Sequence, residues 1–147
     1  MPSGSFCLYD ATLDALLRCE LPALETSTIT ALLLAPTYNP DPVTHSSFSD
    51  IMDHEIRSGD AARLHLTGAS VTAATFRSDN LIFGDPVTIG PDRYLAFLSS
   101  VASALVPDSI LLGVADLSPG GGALEAQRGR FEITVPAAGW FNITRAA

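Results

Sequence analysis

Short apolar runs separated by glycine and proline dominate this sequence and constrain its fold most strongly. After residue 63, hydrophobic and polar residues alternate, first at Leu64 and Leu66 and then through Val71–Phe76, with Gly68 between the two runs as a bulge or bend. A period of two is typical of strands that bury one face. Further strand-like runs lie at residues 80–91 (as two short strands), 94–101, 109–115, 130–135 and 140–144. Closely spaced short strands predict an antiparallel β-sandwich, including the jelly-roll-like kind, or a barrel.

One short helix is predicted near the N-terminus, over residues 10–19. Asp10 is a candidate N-cap, and Leu13, Leu16 and Leu17 are spaced to form one apolar stripe. With 147 residues, the chain is expected to form a single domain over residues 1–147. Residues 116–129, which include three consecutive glycines, are predicted to be a flexible excursion from the strand framework.

The segment from residue 35 to residue 58 interrupts the strands. It follows Thr28–Leu34, a run whose composition predicts a strand that is buried on both faces or packed at an interface. Prolines 36, 40 and 42 end the pairing because proline lacks the backbone donor. Ser47 and Asp50 are spaced as a capping box, so a brief helix is predicted inside this segment. The segment is therefore expected to be an ordered loop with one short helix.

Composition excludes some functions. The formal net charge of −8 argues against nucleic-acid binding, which needs a cationic surface. Only 16% of residues are charged, so partners are expected to cover part of the surface. All cations are arginine, which suits interfaces and would equally follow from a nucleotide bias in the genome.

The sequence shows no secretory signal and no apolar run long enough to span a membrane, so a cytoplasmic site of synthesis is expected. Cys7 and Cys19 are expected to be free thiols and small core residues in a reducing compartment rather than a disulfide.

A metal site is the sharpest chemical alternative. His45, Asp50, Asp53 and His54 lie within ten positions and carry ligand types that transition metals prefer. Asp50 is already explained by helix capping, and His45 is expected to bond a loop carbonyl. We therefore predict no metal and no cofactor.

No catalytic residue can be nominated. There is no Gly-x-Ser-x-Gly motif, and His65 has no serine and carboxylate at an assignable spacing. Most aspartates fall at turns, where they bond local backbone, so no carboxylate pair for glycoside cleavage can be chosen. The chain is predicted not to be an enzyme.

Aromatic side chains suggest contacts with another protein. Trp140 and Phe141 are adjacent, and neighbours on a strand point to opposite faces, so one of them is expected to point outward. That residue would either be shielded by a loop or make a subunit contact. Candidate protein-contact residues are Tyr38, Phe48, Trp140 and Phe141.

The order of motifs over roughly residues 8–115 resembles a group of tailed-bacteriophage virion structural proteins. The matching parts are the N-terminal helix, the leucine-ended strand, the Tyr38-Asn-Pro-Asp41 loop with a downstream histidine, Asp50-Ile51, Glu55-Ile56, Leu66–Thr72 and Phe76-x-x-Asp79-Asn80-x-x-Phe83. Typical relatives have a glycine-tyrosine turn where this chain has Gly59-Asp-Ala-Ala62.

The resemblance implies a capsid decoration or cement protein on the outside of the virion, assembled in the host cytoplasm. It would bind the major capsid protein and stabilise the head, and a homo-oligomer (dimer or trimer) is expected. The alternative is a tail-associated or receptor-binding module that recognises host glycans through aromatic platforms such as Tyr38 or Trp140.

Overall fold

The computed structural model describes residues 6–21, 23–25, 28–57, 63–100 and 105–142. These residues form a mainly β protein with antiparallel sheets, one α-helix and two short 3₁₀ turns. The elements are β1 (Phe6–Leu8), α1 (Asp10–Leu17), β2 (Thr28–Leu34), 3₁₀ turns Phe48–Asp50 and Met52–His54, β3 (Leu64–His65), β4 (Ser70–Thr72), β5 (Thr75–Arg77), β6 (Leu81–Asp92), β7 (Tyr94–Ser100), β8 (Ile110–Asp116), β9 (Leu124–Ile133) and β10 (Phe141–Asn142).

The described strands form three sheets. The largest has five strands in the order β1-β8-β7-β2-β3, and the others contain β10-β5-β4 and β6-β9. Strand β2 pairs with β7 along its whole length, from Thr28 opposite Ser100 to Leu34 opposite Tyr94. The predicted strand at 28–34 is therefore confirmed, between β7 and the edge strand β3 of the large sheet.

Both faces of the five-stranded sheet are buried. Because side chains alternate along a strand, Ile29, Ala31 and Leu33 point to one face while Leu32 and Leu34 point to the other. On the first face, called here the strand face, residues of the two smaller sheets complete the core. The second face is called here the loop face. Its core is completed by Tyr9 at the start of α1 and by residues of the proline loop, residues 35–54.

Helix α1 forms where it is predicted but presents a different side to the core. Thr12 and Ala15 are buried, and the Thr12 hydroxyl donates to the Leu111 carbonyl at 2.9 Å. Leu13 and Leu17 are exposed, and Leu17 is 85% exposed. The predicted leucine stripe is therefore not the side that packs on the sheet, because the small side chains of Thr12 and Ala15 let the helix lie close to β8.

The ends of α1 also differ from the prediction. The N-cap is Tyr9, whose carbonyl accepts the Thr12 and Leu13 amides, and Asp10 is the first helical residue. Cys19 adopts a left-handed conformation with φ 57°. The amides of Cys19 and Glu20 bond the Leu16 and Ala15 carbonyls, which is the pattern of a Schellman motif. The helix therefore ends at Leu17, and Cys7 and Cys19 are free thiols as expected but exposed rather than in the core.

The alternating run predicted over 71–76 is a hairpin rather than one strand. Strands β4 and β5 are joined by Ala73 and Ala74, which both have positive φ, 52° and 58°. Two left-handed residues make the turn that matches strand twist, but asparagine and glycine are its usual residues. Gly68, with φ 63°, lies at a bend between β3 and β4 as predicted.

Two other predictions at this side are corrected. Residues 81–91, predicted as part of two short strands, belong to one strand, β6, because register shifts in its pairing with β9 accommodate its glycines and prolines. Residues 124–129 belong to β9, so the predicted flexible excursion at 116–129 is half sheet. Val101, Ser58, the segment Gly59–Ala62 and residues 143–144 lie outside the described residues, so the predictions that end or fall there are not addressed.

Candidate functional site

The proline loop, residues 35–54, is closed at its base by the strands it interrupts. Leu34 and Glu55 form a β-bridge, and the Ala35 amide donates to the His54 carbonyl at 2.8 Å. The Ile56 amide donates to the Leu33 carbonyl at 2.9 Å. The two ends of the loop are thus held together, and the loop folds back over the loop face.

Local side-chain bonds fix the loop internally. Asp41 accepts the amides of Val43 and Thr44 and the Thr44 hydroxyl, and these bonds lower the pKa of Asp41. Asp50 accepts the Ser46 and Ser47 amides at 2.8 and 3.0 Å, which lowers the pKa of its carboxyl. The predicted capping by Asp50 is confirmed, on a 3₁₀ turn.

Tyr38 anchors the loop to the sheet. Its hydroxyl hydrogen-bonds the Tyr9 hydroxyl at 2.9 Å and His45 Nδ1 at 2.8 Å. Its ring meets Tyr94 edge-on with centroids 5.6 Å apart. Tyr38 is 2% exposed, and burial raises the pKa of both Tyr38 and Tyr9. The His45 imidazole therefore bonds a tyrosine hydroxyl, while the His45 backbone amide donates to a loop carbonyl, that of Asp41, at 3.0 Å.

Phe48 is the second anchor and is 5% exposed. The Arg63 guanidinium lies over its ring, 5.1 Å from the centroid. Arg63 also bonds both carboxylate oxygens of Glu55 at 2.7 Å, while Arg57 bonds one of them at 3.1 Å. Burial alone would raise the pKa of Glu55, but the two arginines hold it below its usual value.

Trp140 and Phe141 lie on the strand face. Trp140 is 3% exposed, its ring meets Phe97 edge-on at 5.0 Å, and its indole N–H donates to the Ser78 hydroxyl at 2.8 Å. Phe141 is half-buried and stacks between Phe6 and Phe76. Neither ring therefore points freely outward.

Three of the four predicted contact residues are buried in the core of the chain, and their contact with another protein stays a prediction. Tyr38, Phe48 and Trp140 are buried because each fills a space against the large sheet and finds a polar or cationic partner there. Only Phe141 keeps part of its ring accessible. Tyr38 and Trp140 also offer no exposed surface on which a sugar could stack.

The candidate metal ligands do not converge. Among the described residues, no group of three or more histidine, cysteine, aspartate or glutamate side chains could hold an ion. Asp50 is committed to the backbone and His45 to Tyr38. The described part of the chain also contains no helix long and apolar enough to cross a lipid bilayer.

The outer surface of the proline loop does carry apolar side chains. Val43 is 73% exposed and Met52 is 44% exposed. Val106 is 54% exposed. It lies on a segment that contacts the loop, since the Ser49 amide donates to the carbonyl of the next residue, Pro107, at 3.0 Å. We call Val43, Met52 and Val106 the loop-end surface. The sequence signal for it was weak, since each residue is an isolated hydrophobe among turn residues.

A second apolar feature lies beside α1. A groove of about 380 Å³ opens between the end of α1, the segment that follows it, the β4–β5 hairpin and β10. Its lining is Leu16, Ala23, Leu24, Glu25, Val71, Ala74, Phe76 and Phe141. The exposed leucines of α1 stand next to this groove.

Asp92 is the most unusual ionisable group. It is 0% exposed, and neither carboxylate oxygen has a hydrogen-bond partner among the described residues. Burial, with a smaller contribution from the charge of Glu125, raises the pKa of Asp92 to about 7. The neighbouring Arg93 is engaged with Asp116 through two bonds of 3.1 and 2.9 Å.

Comparison with known proteins adds no relative: no family model, no curated protein and no solved structure matches the chain.

Proposed function

We propose that this protein is a bacteriophage capsid decoration or cement protein, which binds the outside of the major capsid protein lattice and stabilises the head. The observation that carries the proposal is the proline loop. Its aromatic side chains pack against the sheet, while Val43 and Met52 remain exposed. Val106, on the segment that hydrogen-bonds the loop, is exposed as well. A fixed loop with exposed apolar side chains suits protein contact better than chemistry.

The motifs that resemble phage virion proteins support a structural role. Asp50 caps a 3₁₀ turn, Ile51 is buried, and Glu55 holds two arginines beside the loop base. Phe76 and Phe83 belong to the strand-face core. These residues maintain the fold, as a structural role requires.

A jelly-roll-like sandwich is the architecture that we propose. The two smaller sheets share one core with the strand face of the five-stranded sheet, which is the layering of a sandwich. In such a fold, end loops are displayed while the layers stay rigid. The net charge of −8 fits a position on the outer shell, away from the packaged DNA.

The head role is tested with particles of the phage that encodes this gene. We expect particles without the protein to lose DNA on heating and on osmotic shock, and the purified protein to restore resistance. In complete particles its abundance by gel densitometry should approach that of the major capsid protein. Full resistance without the protein, or a handful of copies per particle, would refute the proposal.

Matched variants test the loop-end surface. Met52→Asp should reduce binding to the deficient particles about tenfold or more, because an unpaired carboxylate would be buried at the contact. Ile82→Asp is the control, since Ile82 on β6 is 47% exposed and Met52 44%. Equal binding by the two variants would place the contact elsewhere.

A further inference from the structure

The leucines of α1 form an apolar surface that has no part in the proposed capsid contact. Leu13 and Leu17 are exposed, and Leu16, on the same side of the helix, lines the groove. Residues three and four apart are neighbours on a helix, so the three leucines form one ridge. The chain thus presents an apolar ridge directly beside an apolar groove.

We propose that a second copy of this chain occupies the groove, in a two-fold dimer in which each ridge inserts Leu17 into the groove of the partner. A two-fold interface uses the same surface on both subunits, so it needs a projection and a matching recess side by side. This surface has both. The cavity left by one truncated core side chain is roughly 150 Å³, so a groove of about 380 Å³ has room for Leu17 and part of a neighbour.

Charge at the two ends of this surface favours the same arrangement. Arg18 follows Leu17 at the tip of the ridge and makes no ion pair with the described residues. Glu25 lies in the groove lining, where one carboxylate oxygen accepts the Val71 amide at 2.8 Å. When Leu17 enters the groove of the second copy, the Arg18 guanidinium would approach the Glu25 carboxylate of that copy, which is the one charged group in the groove lining. Two such pairs form, one on each side of the axis.

The dimer does not depend on the capsid role, because the ridge and groove residues are distinct from the loop-end surface. Its test is the oligomeric state of the purified protein by sedimentation equilibrium up to millimolar concentration. We expect a dimer with a dissociation constant in the micromolar range, roughly that of a small non-obligate interface. A wild-type protein that stays monomeric at millimolar concentration would overturn the proposal.

Leu17→Asp should weaken the dimer roughly 100-fold or more, because the substituted side chain would enter an apolar recess. Leu17 is 85% exposed, so the fold of the monomer should not change, which circular dichroism checks. Ile82→Asp is the control at an exposed site outside both surfaces, since Ile82 is 47% exposed. A Leu17→Asp dimer as tight as wild type would refute this surface.

The charge pair has its own test. Arg18→Glu should weaken association about tenfold, since it places two carboxylates together in each groove. Combination with Glu25→Arg should recover most of that loss. If the double variant associates no better than Arg18→Glu alone, another partner for Arg18 must be found and the arrangement is wrong.

Discussion

The strand face of the large sheet is covered by other strands, whereas the loop face is covered by α1 and the proline loop. Adjacent residues of β7 divide between them: Phe97 packs on the strand face and Leu98 on the loop face. Polar groups of a loop are not paired in a sheet and need other partners. The loop face buries the hydroxyls of Tyr9 and Tyr38, with the half-buried imidazole of His45 beside them.

The two faces differ in whether their buried polar groups have hydrogen-bond partners. On the loop face, the Tyr9 and Tyr38 hydroxyls bond each other and His45. At the arm formed by β6 and β9, which covers the strand face, Asp92 is buried and unbonded by the described residues. The buried polar groups of the loop face are therefore hydrogen-bonded, whereas the β6–β9 sheet holds a buried carboxyl, Asp92, without a partner among the described residues.

The largest expected effect compares the two faces directly. Phe97→Ala should lower the free energy of unfolding by about 4 kcal/mol and Leu98→Ala by about 3 kcal/mol, since both side chains are fully buried. Urea unfolding measures both. A loss below about 1 kcal/mol for Leu98→Ala would mean that the loop face is not a true core.

The second effect is a pH dependence at Asp92. Its pKa is about 7 in the folded state against 3.8 in the unfolded chain, so the folded state holds the proton between these values. Stability from this group is greatest below about pH 4, falls as pH rises and levels off above about pH 7, a change of roughly 4 kcal/mol.

Asp92→Asn isolates that contribution. The difference in unfolding free energy between the variant and wild type should shift in favour of the variant as pH rises from 4 to 8. Comparing differences cancels the effect of carboxylates whose pKa is lowered, such as Glu55. A pH-independent difference would contradict the assignment of a neutral carboxyl.

A smaller effect tests the bonding of the loop face. Tyr38→Phe should cost about 1–3 kcal/mol, because it leaves the buried Tyr9 hydroxyl and His45 without their shared partner. Tyr94→Phe is the matched control, since the Tyr94 hydroxyl bonds no described residue, and should change stability by less than about 0.5 kcal/mol. Equal losses would show that the hydroxyl network contributes nothing.

The smallest effect is a gain on the strand-face side. Ala73→Asn with Ala74→Gly should raise stability by about 1 kcal/mol, because both positions have positive φ. Thermal unfolding measures it. A loss instead would indicate that Ala74, which lines the groove, contributes more by packing than it costs in conformation.

Much of the fold is predictable from local pattern. The β2 strand follows from a continuous apolar run, the Gly68 bend from a glycine between strands, and the Asp50 cap from its spacing to Ser47. The β4–β5 turn was missed because Ala-Ala carries no turn signal, and β6 was divided because glycine and proline usually end a strand. In both cases tertiary pairing overrides local preference.

The site was harder to predict, because sequence position does not reveal burial. Tyr38 and Phe48 sit in a polar, proline-rich segment that suggests exposure, yet the loop folds back onto the sheet and buries them. The leucines of α1 are the opposite case: a stripe at helical spacing normally faces a core, yet Leu13 and Leu17 are exposed. Which side of α1 packs is decided by Thr12 and Ala15, whose small size matters only against β8.

The outer strands of the large sheet are too short to offer much backbone to another chain. Strands β1 and β3, with three and two residues, expose only a few backbone donors and acceptors along the sheet margins that the structure describes. Short margins give another chain little to extend. Self-association at the margins of the large sheet should therefore involve side-chain surfaces instead of strand addition.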